Sequence, residues 1–189
     1  HSHSDHAEGN SLYTNAKIIA GAYGRAQWES DSGGSRFPDI MLKPGEETIQ
    51  QIGRETVHVR NMGQAHTMND VIVYFEKRKL LATGDLVFLG THPALSKKFG
   101  TSVDSWLAAL DRLGALYNIQ TLVPGHGKVS DRNALSVMKE YFVSMKDAAG
   151  SNWTVSAWRA IGGPKGMPKH VADKLATAIK KTWDSKEFK

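Results

Sequence analysis

The chain has 189 residues, 40% of them hydrophobic and 23% charged, and a formal net charge of +5, which fits one globular domain with room for an appended segment. It contains no Cys, which excludes disulfides, thiolate metal ligands and a Cys nucleophile. Its Lys and Arg are scattered and no apolar run reaches the roughly 18 residues of a membrane span, so we expect no nucleic-acid partner and no membrane segment.

Hydrophobic periodicity and turn residues predict alternating strands and helices along the chain. In chain order these are a strand at 18–20, a loop at 30–39, strands at 47–52 and 55–60, a hairpin at 71–85, a helix at 102–116, a strand at 119–123 ended by Pro124-Gly125, and a helix at 131–149. Ser102 is the expected N-cap of the first helix. The interleaving predicts an α/β (α+β) fold.

Seven side chains with imidazole or carboxylate groups are each expected where a strand gives way to a loop, with a glycine nearby. They are His1, His3, Asp5, His6, His66, Asp85 and His126. This ligand chemistry suits zinc, manganese, iron and similar divalent ions. Seven ligands are too many for one tetrahedral ion, but they are the right number for two ions that share a carboxylate.

Four motifs carry a resemblance to a known family: HSHSDH at 1–6, GQAHT at 63–67, TGD at 83–85 and PGHG at 124–127. In this order they resemble the metallo-β-lactamase-fold hydrolases, over residues 1–150. The resemblance implies one ion held by His1, His3 and His66, and a second held by Asp5, His6 and His126. Asp85 would bridge the two ions, as in the glyoxalase II, lactonase and phosphodiesterase branch.

The resemblance also implies a function, which is hydrolysis by a hydroxide that bridges two divalent ions. Zinc is favoured, and manganese, iron or cobalt would also suit the ligands. Asp85, which would position the hydroxide, and Asp5 are the candidate catalytic residues, and Thr67 or Asp70 would orient ligands. The expected substrates are small molecules with ester-type bonds (carboxylic ester, lactone, thioester, phosphodiester or phosphotriester), with broad specificity. His92 either faces the substrate pocket or lies in an exposed loop.

Two departures from the family pattern lead to further expectations. The family fold resembles an αββα sandwich, and here the His-rich segment begins at residue 1, so most of one sheet is expected to be missing. An uncovered apolar face would favour a homodimer. Residues 151–189 form a predicted second unit with an amphipathic helix, and the stretch 153–189 resembles a fragment of the substrate-binding proteins of tripartite tricarboxylate transporters.

The sequence is compatible with three further interpretations. The opening histidines could be a purification-tag remnant, although a tag does not supply Asp5 or the downstream motifs. The chain could also be a catalytically inactive metal-binding remnant, or could hold a Cu(II) or Ni(II) site at His1-Ser2-His3. No signal peptide is evident, and a cytoplasmic location is favoured, although the Cys-free sequence leaves the compartment undetermined.

Overall fold

The structure, a computed structural model, describes residues 1–149. The predicted second unit at 151–189 and its transporter-like segment lie outside the described residues. None of the helices in the described part is both long and apolar enough to cross a membrane.

The described elements alternate as the sequence predicts. In chain order they are α1 (Ser4–Ala7), a 3-10 helix (Glu8–Leu12), β1 (Ile19–Gly21), α2 (Arg25–Asp31), β2 (Ile40–Leu42), β3 (Glu47–Ile52), β4 (Glu55–Asn61), β5 (Val71–Phe75), β6 (Leu80–Phe88), a 3-10 helix (Lys97–Phe99), α3 (Val103–Leu116), β7 (Thr121–His126) and α4 (Asn133–Ala149). The predicted mixed α/β class is confirmed.

Seven strands form two sheets in this part of the chain. The larger has the order β3-β4-β5-β6-β7 and is antiparallel except for β7, which runs parallel to β6. A parallel neighbour requires a crossover connection, and α3 supplies it between β6 and β7. The smaller sheet is a parallel pair, β1 and β2.

The main core lies between the larger sheet and helices α3 and α4. Trp106, Leu110 and Leu113 recur at helical spacing in α3 and are fully buried together with Leu81 of β6 and Phe142 of α4. The predicted N-cap of α3 is also confirmed, because the Ser102 hydroxyl accepts a hydrogen bond from the Ser105 backbone N at 3.3 Å. The packed helices fix the position of the sheet edge on which the site is built.

The opposite face of the larger sheet is apolar and partly covered. Val57 and Val59 of β4 are buried there with Leu42 of β2, and Ile19 and Ile40 of the smaller sheet pack against them. Val71, Val73 and Phe75 of β5 are only half-buried on the same face. The expected uncovered face is therefore found only in part, because the small sheet occupies some of it.

The sequence did not predict β2, and several element boundaries differ from the expectation; β6, for example, runs to Phe88 and not to 85. The predicted loop at 30–39 begins inside α2, a short helix with a single buried residue, Trp28, which is too weak a pattern to detect. Strand β7 begins at Thr121 and runs through Pro124-Gly125 to His126 instead of stopping there. Pro is tolerated in β7 because this strand lies at the edge of the sheet.

Candidate metal centre

The opening segment brings four candidate ligands together through a short helix. His3 is the N-cap of α1, and its carbonyl oxygen accepts hydrogen bonds from the backbone N of His6 and Ala7, at 3.1 and 3.0 Å. Asp5 and His6 therefore project from the single turn that follows. These ligands lie on a helical turn, not at a strand end, so the sequence-based placement was wrong for this segment.

His66 lies in the loop between β4 and β5, and the neighbouring chain fixes it on both sides. Its carbonyl oxygen accepts a hydrogen bond from the Thr101 hydroxyl at 2.6 Å. The next residue, Thr67, donates its backbone N–H to Asp70 at 2.8 Å. The imidazole is 1% exposed and packs edge-on against Phe88 and Trp106. The ring is thus buried with aromatic side chains against its edge.

Asp85 and His126 come from the neighbouring parallel strands β6 and β7. His126 is the last residue of β7 and so stands at a strand end, as expected for a candidate ligand. Asp85 was also expected at a strand end but lies inside β6. Phe88 stacks on the His126 ring with centroids 4.9 Å apart and planes at 14°. The strand pairing therefore sets both side chains at one edge of the sheet.

The seven candidate ligands converge in two groups, one of His1, His3, His66 and Asp85 and one of Asp5, His6 and His126, with ligand atoms within 4.8 Å of one another in each group. The Asp85 carboxylate lies between them. Its Oδ2 is 3.5 Å from His1 Nε2 and 3.2 Å from His66 Nε2. Its Oδ1 is 3.1 Å from His6 Nε2 and 3.4 Å from His126 Nε2.

These distances between ligand atoms fit coordination of metal ions. Ligand atoms around a tetrahedral ion at 2.0–2.1 Å stand about 3.3 Å apart. The remaining contacts have similar lengths: His3 Nδ1 lies 3.2 Å from His66 Nε2, and Asp5 Oδ2 lies 3.4 Å from His126 Nε2 and 3.5 Å from His6 Nε2. His1 Nε2 and Asp85 Oδ1 are buried without a well-formed hydrogen bond, even though His6 Nε2 is 3.1 Å from that oxygen. Buried polar atoms without partners are costly, and a bound cation would satisfy them.

Burial and neighbouring charges set the protonation states of four candidate ligands. Burial lowers the pKa of His66 to about 3 and also lowers that of His3, so both imidazoles are neutral. Burial alone would raise the pKa of Asp85, but contacts with His6 and the nearby His66 outweigh it and lower the pKa below the usual value. His3 and His66 are thus neutral beside an ionised carboxylate, as metal binding requires. Contact with Asp85 raises the pKa of His6, so a metal ion bound there would displace a proton from this imidazole.

An open cavity of about 470 Å³ leads to this cluster. Besides ligands, its walls include Phe88, Ala94, Phe99 and the exposed His92. His92 therefore lines the cavity and also belongs to an exposed loop, where its Nδ1 lies 2.8 Å from the Tyr141 hydroxyl.

Some residues that support the site without binding at its centre were not predicted from the sequence. Tyr23, in the GAYG segment after β1, contacts the Thr67 hydroxyl. The Ser2 hydroxyl donates to Asp31 at 3.1 Å. An aromatic residue in the glycine-containing GAYG stretch was a faint signal for Tyr23. Nothing local marks the Ser2–Asp31 pair, which is 29 residues apart.

Comparison with known proteins agrees with this geometry. The sequence profile of the metallo-beta-lactamase superfamily matches residues 1–126, a span that contains all seven clustered side chains. The chain belongs to the metallo-beta-lactamase superfamily. The predicted family is confirmed by this match.

Alignments with individual relatives cover only part of each relative's length. Metallo-beta-lactamase IND-1 of Chryseobacterium indologenes is 30% identical over 127 residues, which are 67% of this chain and 52% of the relative. Metallo-beta-lactamase type 2 of Bacillus cereus is 30% identical over 89 residues, 47% of this chain and 35% of the relative. The chain thus spans about half, or less, of the length of these relatives.

Solved structures agree on the fold. The crystal structure of DIM-1 metallo-beta-lactamase superposes with a TM-score of 0.63 at 23% identity, and the match covers 77% of this chain and 67% of that one. A metallo-beta-lactamase from Pontibacter korlensis gives a TM-score of 0.53, also at 23% identity, over 70% of this chain and 73% of that one. At this identity the likeness concerns the metallo-beta-lactamase fold alone.

Proposed function

We propose that this superfamily member is a metal-dependent hydrolase with a two-ion centre that cleaves ester-type bonds in small molecules, with zinc as the favoured metal. One observation carries the proposal. The two oxygens of Asp85 face two different sets of ligands, His1 and His66 on one side and His6 and His126 on the other. A carboxylate in this position suits a bridge between two cations.

The chemistry divides between the metal and the chain. Two divalent ions would lower the pKa of water toward neutrality and stabilise the charge that develops on a substrate oxygen. The chain would hold His66 and His3 neutral and Asp85 ionised, as described above. Phe88 and Phe99 add apolar surface to the cavity wall, against which the uncharged part of a substrate would pack. No protein nucleophile is required.

The walls of the cavity favour neutral substrates. Among the lining residues in the described part of the chain there is no Lys or Arg; the acidic ones are Asp31 and the two candidate ligands Asp5 and Asp85. Lys98 packs its ammonium group 5.1 Å from the centroid of the Phe99 ring and is not among the lining residues. A substrate with a remote carboxylate would find no cationic side chain in the wall, so we propose uncharged esters, lactones or phosphotriesters as preferred substrates.

Hydrolysis of a β-lactam amide is the second candidate function. Its support is the naming of relatives such as IND-1 as metallo-beta-lactamases. Two further roles have less support. An inactive metal-binding remnant would keep the ligand cluster without turnover. A Cu(II) or Ni(II) site at His1-Ser2-His3 would need His3 Nδ1, which instead lies 3.2 Å from His66 Nε2.

The test combines metal content with turnover. The protein is reconstituted with Zn²⁺, Mn²⁺ or Co²⁺, analysed for bound metal and assayed with 4-nitrophenyl butyrate, diethyl 4-nitrophenyl phosphate, bis(4-nitrophenyl) phosphate and a chromogenic cephalosporin. We expect close to two equivalents of bound metal per chain. We also expect the two neutral esters, 4-nitrophenyl butyrate and diethyl 4-nitrophenyl phosphate, to be cleaved faster than the anionic bis(4-nitrophenyl) phosphate and the cephalosporin. One equivalent or none would remove the two-ion centre, and two equivalents without turnover would favour the inactive remnant. Faster cleavage of the cephalosporin would favour the second candidate.

A further inference from the structure

Tyr23 is a buried residue that the proposed hydrolysis does not use, and its hydroxyl lies directly behind the His66 loop. The side chain is 4% exposed. The hydroxyl donates to the Asn69 carbonyl oxygen at 2.8 Å and lies 2.8 Å from the Thr67 hydroxyl. Because the Thr67 hydroxyl donates to Asp70 at 2.8 Å, Thr67 accepts from Tyr23, which shares its one proton between two acceptors.

The hydroxyl end of Tyr23 thus fixes the loop that carries His66. Thr67 and Asn69 flank the turn that follows this ligand, and Asp70, buried and 2% exposed, closes the turn by accepting from Thr67 twice. Loss of the phenolic proton would leave buried acceptors of this turn without their donor. Such a loss allows the backbone next to His66 to shift.

The ring end of Tyr23 fixes the other ligand-bearing segment. It packs in a small core with Ala7, Ala20 and Trp28, with its ring centroid 5.8 Å from that of Trp28. Ala7 is the last residue of α1 and directly follows His6. The ring of this one side chain therefore shares a small core with the helix that carries Asp5 and His6, and its hydroxyl bonds to the turn behind His66.

We infer that Tyr23 is a positioning residue that sets the distance between the α1 ligands and His66, and so tunes the metal affinity of the centre. The inference rests on the proposed metal centre. Groups behind metal ligands typically change metal affinity by 10–100-fold when they are removed. The effect of Tyr23 would pass through the geometry of the ligands, because its hydroxyl bonds to the turn and not to a ligand atom.

Tyr23→Phe tests this inference, because it keeps the ring and removes only the hydroxyl. Affinities for Zn²⁺ and Co²⁺ are measured by competition with a chelating dye, together with the visible spectrum of the cobalt-loaded protein. We expect metal binding 10–100-fold weaker than in the wild type and a changed cobalt spectrum. The matched control is Tyr74→Phe, which removes a hydroxyl that donates to the Asn118 carbonyl at 3.0 Å, outside the candidate metal centre.

Two variants of Thr67 test the contact between the Tyr23 and Thr67 hydroxyl groups from the side of the turn. Thr67→Val removes the hydroxyl that Tyr23 contacts, and Thr67→Ser retains one; we expect the first to weaken metal binding and the second to keep wild-type affinity. Wild-type affinity and spectrum in both Tyr23→Phe and Thr67→Val would overturn the inference. Equal losses in Tyr23→Phe and Tyr74→Phe would also overturn it, in favour of a general stability effect. A wild-type chain that binds no metal would overturn the proposed function and this inference together.

Discussion

Asp85 is buried and yet has a lowered pKa. Its side chain is nearly inaccessible, yet neighbouring imidazoles hold it ionised. An unpaired buried carboxylate would be strongly destabilising. Each carboxylate oxygen of Asp85 instead faces a pair of imidazoles. Two bound cations would complete this arrangement and balance the negative charge of the carboxylate.

Asp85→Asn should therefore remove the charge and keep the shape. We expect kcat to fall by several orders of magnitude and bound metal to fall below two equivalents, and His66→Ala should act similarly. Metal analysis must accompany the kinetics, because loss of an ion and loss of a catalytic group look alike in rate. His58→Ala is the control, since this residue contacts Glu47 and Glu76 and lies outside the ligand groups. Comparable losses in all three variants would show that the assay reports stability.

His92 gives a separate test of the cavity. Its ring lines the wall and is fixed by Tyr141, but it is not in either ligand group. We expect His92→Ala to raise KM for neutral esters several-fold and to leave the bound metal unchanged. An unchanged KM in steady-state kinetics would assign His92 to the exposed loop alone.

Sequence patterns predicted most strands and helices. They did not predict α1, which carries Asp5 and His6, or the contact of Tyr23 with the loop that carries His66. The apolar residues of α3 recur at helical spacing over 14 residues, and those of β4 alternate with polar residues, so both elements have long, regular sequence patterns. Helices α1 and α2 are short and bury one residue each, Ala7 and Trp28, so periodicity cannot detect them. The ligand set was found because its residue types and glycine neighbours are local. Tyr23 was missed because its partners lie more than 40 residues away.

Close approach of β6 and β7 explains why glycine precedes His126. A Cβ on Gly125 would overlap Asp85 Oδ1 and lie 2.6 Å from the Gly84 carbonyl carbon. We expect Gly125→Ala to displace Asp85 and to lower bound metal to one equivalent or less. Gly114→Ala in α3 is the matched control, because its Cβ would meet atoms no closer than 3.6 Å and Ala is preferred in helices by about 1 kcal/mol. Metal analysis of both variants decides, and full occupancy in Gly125→Ala would contradict the proposed packing.

For the whole molecule, we predict self-association as a homodimer. Strand β3 is an edge of the larger sheet among the described strands, and its Ile49 and Ile52 are 54% and 64% exposed. An exposed apolar edge can pair with a second copy, and two-fold pairing is the commonest closed arrangement. Light scattering coupled to size exclusion should give about twice 20.7 kDa, and Ile49→Lys should shift the mass toward the monomer. A mass of 20.7 kDa in the wild type would contradict the prediction.

Metal removal should also lower the stability of the whole described domain, because the ligands come from four separate segments: α1 with its preceding residues, the loop after β4, β6 and β7. An ion that binds only the folded chain stabilises it by about 2.7 kcal/mol at a free concentration 100 times Kd. For a domain of this size, that corresponds to roughly 5–10 °C in Tm for each site. We therefore expect a chelator to lower Tm by this amount or more in calorimetry, and added Zn²⁺ to restore it. Asp85→Asn should show a much smaller chelator effect, and a wild-type Tm insensitive to chelator and zinc would mean that the clustered side chains hold no ion.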